Sequence, residues 1–260
     1  MYATAPLIDV YDHSYLNRQI NTVVNDYTGR TYPLLKDIPV LLHDRYMRGN
    51  NEKYSRLYNW IGGSYDFAEK VISKVMYGGQ IAETRREIMS RTQIKNGDRV
   101  LYVSIGTGMG LNYLPSDVDV STLEITGVDI SIGMLQKCSK NMKKWGIEAE
   151  LINCCAEALP FEDNYFDAVF HVGGINFFTD KQAAIDEMVR VAKKGAHIMI
   201  CDETESVIKG GSSERKEAVR PPLAMISFEM KNVALETFWK GRFYCITFQK
   251  PEPQYLTVFH

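Results

Sequence analysis

The chain has 260 residues, of which 45% are hydrophobic and 24% charged, with a formal net charge of -2. That composition fits a globular protein of one large domain, or one domain with an added subdomain, and its slight acidity argues against a protein that coats nucleic acid through a basic patch. No run of about 18 apolar residues is present to span a membrane. The opening Met1-Tyr2-Ala3-Thr4-Ala5-Pro6 lacks the basic and apolar regions of a signal peptide. Five cysteines without a C-x-x-C spacing point to reduced thiols and a cytoplasmic setting, and adjacent Cys154 and Cys155 are poorly placed for an ordinary disulfide. His13, His43, His171, His197 and His260 form no ligand-spaced cluster, so no metal is expected.

Residues 1–95 read as an N-terminal helical cap or extension. Asn17 to Tyr27 is expected as a short helix, with Pro33 and Pro39 breaking the stretch that follows. Phe67, Val71, Ile72, Val75 and Met76 fall on one helical face that Gly78-Gly79 ends. Gln80 to Thr92 reads as a further helix with Ile81, Ile88 and Met89 on its apolar side. Tyr46, Tyr54, Tyr58 and Tyr65 cluster in this segment, either covering a core or flanking a cation-binding site.

Residues 96–260 alternate strands and helices, which implies parallel pairing with both sheet faces covered. Val100 to Ile105 is a strand that runs into Gly106, Gly108 and Gly110. A second strand spans Leu123 to Asp129, followed by a helix from Met134 to Trp145 that Gly146 closes. Strands are expected at Glu148–Asn153 and Phe166–Val172. Thr179 and Gln182 read as a capping box. The helix behind it buries Ala184, Met188, Val191 and Ala192, with Lys193 and Lys194 at its negative end and Gly195 as its stop. A strand at His197–Cys201 precedes a polar, broken insert at 203–228. Val233–Phe238 and Phe243–Phe248 are separated by four residues only, which makes them an antiparallel hairpin.

The glycine turn is the feature richest in function. Glycine lets backbone approach a ligand, and a helix starting there aims free N–H groups at it. A dinucleotide fingerprint needs its third small residue five positions after the first, where this chain has Leu111. Asp129 lies roughly 20 residues on, where a ribose-binding carboxylate is expected. Capping the next helix is the other role open to it.

The glycine spacing, together with Tyr65-Asp66, Val128-Asp129-Ile130-Ser131, the string Ala156-Glu157-Ala158-Leu159-Pro160-Phe161, Phe166-Asp167-Ala168-Val169 and the closing Gly241 to Phe248, resembles the class I S-adenosylmethionine (SAM) dependent methyltransferases. Within them it is similar to the ubiquinone and menaquinone biosynthesis group, over residues 60–251. The resemblance implies a Rossmann-like, doubly wound α/β fold: a mostly parallel seven-stranded sheet with an antiparallel C-terminal hairpin. It implies SAM as cofactor, S-adenosylhomocysteine as product, and a small, apolar or aromatic methyl acceptor. Gly106, Thr107, Gly108 and Gly110 would hold the methionine part, Asp129 the ribose, and Ile130 and Met134 the adenine. Cys155 and Ala156 occupy the adenine-reading pair. His171, Val172 and Gly173 would floor the sulfonium, which Tyr65 approaches from the cap. Ser104 stands where the family brings an acidic residue, and Cys155 where it brings an aspartate. These departures leave a catalytically silent SAM-binding relative open, and a nicotinamide-dependent oxidoreductase is the third reading. His171 is the candidate general base, or else a hydrogen-bonded strand-end histidine, and Asn176 is a candidate for orienting an acceptor. A homo-oligomer is open.

Overall fold

The computed structural model describes residues 4–61, 81–210 and 213–252. The helix expected at Phe67–Met76, and Tyr65 with it, lies outside the described residues. The first element is not a helix. Asn17–Arg18 (β1), Thr22–Val24 (β2), Thr31–Leu35 (β3) and Ile38–Leu41 (β4) form an antiparallel meander. The expected Asn17–Tyr27 helix fails because Thr22, Val23 and Val24 are β-branched and Asn25 makes a turn. The Asn25 Oδ1 accepts from the N–H of Tyr27 at 3.0 Å and of Thr28 at 3.1 Å, and Gly29 takes a positive φ. Buried Asp9 holds this meander by accepting from Asn25, Arg30 and Tyr32 at 2.6–2.8 Å.

Among the described residues the helices Gly49–Ile61 (α1) and Ile81–Met89 (α2) follow, the second continued by a 3-10 turn over Ser90–Thr92. Then come Arg99–Val103 (β5), Glu124–Asp129 (β6), Ile132–Trp145 (α3), Glu150–Cys154 (β7), Phe166–Val172 (β8), Lys181–Val191 (α4) and Ala192–Glu203 (β9). Strands β7, β6, β5, β8 and β9 lie side by side and parallel. The expected insert contains a hairpin of its own, Glu205–Gly210 (β10) with Ser213–Ala218 (β11). Lys231–Phe238 (β12) and Phe243–Gln249 (β13) form the expected hairpin, and β13 pairs antiparallel with β9. Among the described residues the sheet has eleven strands rather than seven, because β4 pairs parallel with β7 and brings β1–β3 into the same sheet. The segment expected as a helical cap is therefore half sheet edge.

Helices α2 and α3 cover one face, with Ile88, Met89, Leu135, Cys138 and Met142 buried against β5, β6 and β8. Helix α4 and the segment Ala5–Val10 ahead of β1 lie on the other, where Ile185, Met188 and Val191 meet Phe161, Phe166 and Phe248. This is the doubly wound arrangement, and it leaves the carboxyl ends of the parallel strands open along one edge.

The cap of α4 differs from expectation. Asp180 accepts from the Ala183 N–H at 3.0 Å, while Thr179 donates to the Arg48 carbonyl and Gln182 to Asp186. A carboxylate one residue closer to the helix satisfies the orphan donor, so the Thr179–Gln182 pair is not needed. The helix ends at Val191, before Lys193 and Gly195, because residues 192–203 are drawn into β9. Asp180→Ala is expected to lower unfolding free energy by about 1 kcal/mol, whereas Gln182→Ala changes it by only a few tenths; urea denaturation of both variants checks this.

Candidate active site

Strand β5 has β6 on one side and β8 on the other, and the chain runs outward in both directions from it. Ligands of doubly wound sheets bind outside the carboxyl ends of the strands at that switch point. A cavity of about 580 Å³ lies there, within the range of small-molecule sites.

The glycine turn closes one wall. After β5, Ser104 and Gly106 take φ of +57° and +58°, and Gly108 +80°. A side chain on Gly106 would stand in open space at the cavity, so this residue leaves room for a ligand against its backbone. Gly108 and Gly110 serve packing instead. A Cβ at Gly108 would collide with Met142 and Cys138 of α3, and one at Gly110 would sit 2.7 Å from the Tyr102 hydroxyl. The turn leads into a 3-10 segment, Met109–Tyr113, not the expected α-helix. Buried Thr107 lines the cavity, and its carbonyl accepts from Asn141 at 3.0 Å.

Asp129 ends β6 beside this turn. Its Oδ2 accepts from the Gly106 N–H at 2.9 Å and its Oδ1 from the Ser131 N–H at 2.8 Å. Burial pushes the carboxyl up to about 6, against the pull of those backbone donors. The helix cap belongs to Ser131, whose Oγ accepts from the Met134 N–H at 3.2 Å. Ile130 and Met134 line the cavity on the same side.

The opposite wall forms where β8 and β9 end. Val172 and Gly173 line the cavity, but His171 does not. Its ring is fully buried, with Nδ1 donating to the Val103 carbonyl at 3.2 Å and Nε2 accepting from the Ile175 N–H at 3.0 Å. Burial lowers its pKa to about 4. Both nitrogens are engaged with backbone, so the general-base role expected for His171 gives way to that of a clasp between β5 and the turn after β8. Asn176 is also engaged, donating its amide to the Glu203 carbonyl at 2.9 Å. Asp202, at the end of β9, accepts from the N–H groups of Gly174 and Asn176 at 3.1 and 3.0 Å, and burial raises its pKa. Asp202, Glu203, Phe177, Phe178 and Phe243 line this end and were not singled out from sequence. Only the fold brings the three segments together.

Helix α1 roofs the cavity with Tyr54 and Tyr58, and the Tyr54 ring packs tilted against Phe177 with centroids 4.6 Å apart. Three polar side chains fasten it. Asn51 donates to buried Glu157 at 2.8 Å, Ser55 to the Ile130 carbonyl at 3.1 Å, and Asn59 Oδ1 accepts from Ser131 and Gly133 at 2.8 and 3.0 Å. Glu157 comes from the Ala156–Phe161 string, whose other end Arg190 anchors by donating to the Leu159 and Phe161 carbonyls. Cys155 and Ala156 are buried and line no part of the cavity. The Cys155 thiol faces the His43 carbonyl at 4.0 Å, and burial pushes it up to about 12. The pair expected to read adenine thus packs under the N-terminal segment here, apart from the cavity lining.

Residues 101–200 match the profile of the methyltransferase-domain family. A ubiquinone/menaquinone biosynthesis C-methyltransferase, UbiE, of Stenotrophomonas maltophilia is 33% identical over 152 residues, which is 58% of this chain and 58% of that protein. The chain thus matches less than two thirds of that relative's length. Among solved structures, a phosphoethanolamine N-methyltransferase 2 of Haemonchus contortus superposes with a TM-score of 0.54 at 17% identity, covering 65% of this chain and 53% of that one. The PH0226 protein of Pyrococcus horikoshii gives 0.53 at 21%, covering 68% and 91%. The [4+2]-cyclase SpnF gives 0.54 at 17%, covering 66% and 82%. These structures establish the shared fold.

Because folding depresses the His171 pKa from 6.5 to about 4, its contribution to stability is complete above pH 6.5 and lost as pH falls through 4. NMR is expected to show the His171 ring neutral at a pH of about 5.5 in the folded protein; a ring titrating at its ordinary pKa would contradict the buried clasp.

Proposed function

We propose that this chain, whose residues 101–200 match the methyltransferase-domain family, is a SAM-dependent methyltransferase acting on a small, apolar or aromatic acceptor. The observation that carries the reading is Asp129 bonded to the Gly106 N–H at a cavity wall where Gly106 leaves space that a Cβ would fill. The residues present fit the cofactor. The backbone of Gly106 and Thr107 would hold its methionine part, Asp129 its ribose hydroxyls, and Ile130 and Met134 the faces of its adenine. Ser104, Val172 and Gly173 would lie under the sulfonium, with Gly108 and Gly110 shaping the turn. When bound, such a cofactor supplies an electrophilic methyl group.

The chain's own part is positioning and exclusion of water. Tyr54, Phe177, Phe178 and Phe243 give aromatic walls to the acceptor end. Asp202 and Glu203 are the carboxylates there able to hold a proton. Carbon methylation in quinone biosynthesis, the activity named for the S. maltophilia relative, agrees with an aromatic acceptor. The cytoplasm is the proposed compartment, supported by five free cysteines, and no helix among the described residues is long and apolar enough to cross a membrane. Residues 1–95 serve as a cap through α1 and α2 while their strands extend the sheet of the methyltransferase domain.

Calorimetric titration tests the reading. S-Adenosylhomocysteine is expected to bind and NADH not to. Asp129→Ala is expected to weaken binding by about 10- to 100-fold, or about 1.4–2.7 kcal/mol. Because ribose hydroxyls donate to the ionised carboxylate, binding should be constant above pH 7. It should fall by up to about tenfold per pH unit below the Asp129 pKa of about 6. Absence of binding by the wild-type protein at about 10⁻⁴ M ligand would refute the reading.

A further inference from the structure

Cys201 and Cys245 face each other directly across β9 and β13. The ladder shows which kind of pair they form. Thr204 donates to the Arg242 carbonyl and Lys250 to the Ala196 carbonyl, so the hydrogen-bonded pairs fall on even-numbered residues of β9. Cys201 is odd-numbered, and its carbonyl accepts from Gly173 on the other side, away from β13. Cys201 and Cys245 are therefore a non-hydrogen-bonded pair, the kind whose Cα atoms approach to about 4.5 Å. That separation lies inside the window a disulfide needs. Both thiols are buried and reduced, and they share a hydrogen bond. Cys201 also borders the cavity, with none of its surface exposed in the reduced protein.

We propose that Cys201 and Cys245 form an oxidisable pair that closes into a cross-strand disulfide at the cavity wall, with a peroxide as oxidant. The Cys201 sulfur attacks one peroxide oxygen; the O–O bond breaks, a sulfenic acid forms, and the thiol proton leaves with the other oxygen as water. The Cys245 sulfur then attacks the sulfenic sulfur. The S–S bond forms, the S–O bond breaks, and the second thiol proton leaves in a second water. Two electrons pass from the two thiols to the peroxide. A dithiol reductant reverses the bond. The Cys245 hydrogen bond and burial hold the Cys201 thiol well above the ordinary thiol range, which slows its oxidation. Closure would tie β13, which carries Phe243, to the strand that carries Asp202. The pair does not depend on methyl transfer and stands apart from the cofactor reading.

The test treats the full chain with excess hydrogen peroxide, unfolds it in denaturant and counts free thiols. Wild type is expected to fall from five thiols to three, with proteolytic peptides containing Cys201 and Cys245 joined and separated again by dithiothreitol. Cys245→Ser is expected to form no intramolecular bridge and to leave Cys201 as a sulfenic acid that dimedone traps. Five thiols remaining in wild type, a bridge that excludes either residue, or loss of two thiols in Cys245→Ser would each overturn the proposal.

Discussion

The Asp129 carboxylate joins the glycine turn after β5 to the entrance of α3. One oxygen takes the first glycine's N–H after β5, and the other takes the Ser131 N–H at the entrance to α3. Both strands are buried in the sheet, so the carboxylate cannot retreat to water, and burial raises its pKa toward neutrality. A carboxyl held that way favours ligands that bring hydroxyl donors to it. Removing it would leave the Ile105 N–H on the Val128 carbonyl, at 3.0 Å, as the tie between the glycine turn and β6.

The cap depends on the same stretch. Asn59 and Ser55 of α1 bond Ser131, Gly133 and the Ile130 carbonyl, one to four residues beyond Asp129. At its other end α1 is held by Asn51 on Glu157, which also accepts from the Asp180 N–H. The roof is therefore fixed by directional hydrogen bonds of about 1–3 kcal/mol each. Its tyrosines sit over the cavity because both ends of the helix are pinned, and α1 opens only if several such bonds break together.

The central strands were legible in sequence because buried parallel strands are nearly continuous apolar runs. Phe166–Val172 is observed with its expected bounds, and Asp129 stands where the spacing put it. The N-terminal strands were not legible. Their pairing rests on β4 meeting β7, more than a hundred residues away, and on a side-chain turn at Asn25. Of the two readings of His171, the hydrogen-bonded strand-end histidine is the one observed, and Cys155 lies away from the cavity; sequence shows which residue occupies a strand end, not which way its side chain turns. His171 meets two backbone groups, and Cys155 turns toward His43. Asp202 and the aromatic wall escaped notice because they come from three separate segments that only β9 and β13 bring together.

The central claim is that the glycine turn and Asp129 form one cradle for a nucleoside cofactor. A crystal structure of the protein with S-adenosylhomocysteine tests it most directly. The account predicts both ribose hydroxyls on the Asp129 carboxylate, with the ligand backbone against Gly106. A ligand bound elsewhere, or one in this cavity whose ribose lies away from Asp129, would contradict it.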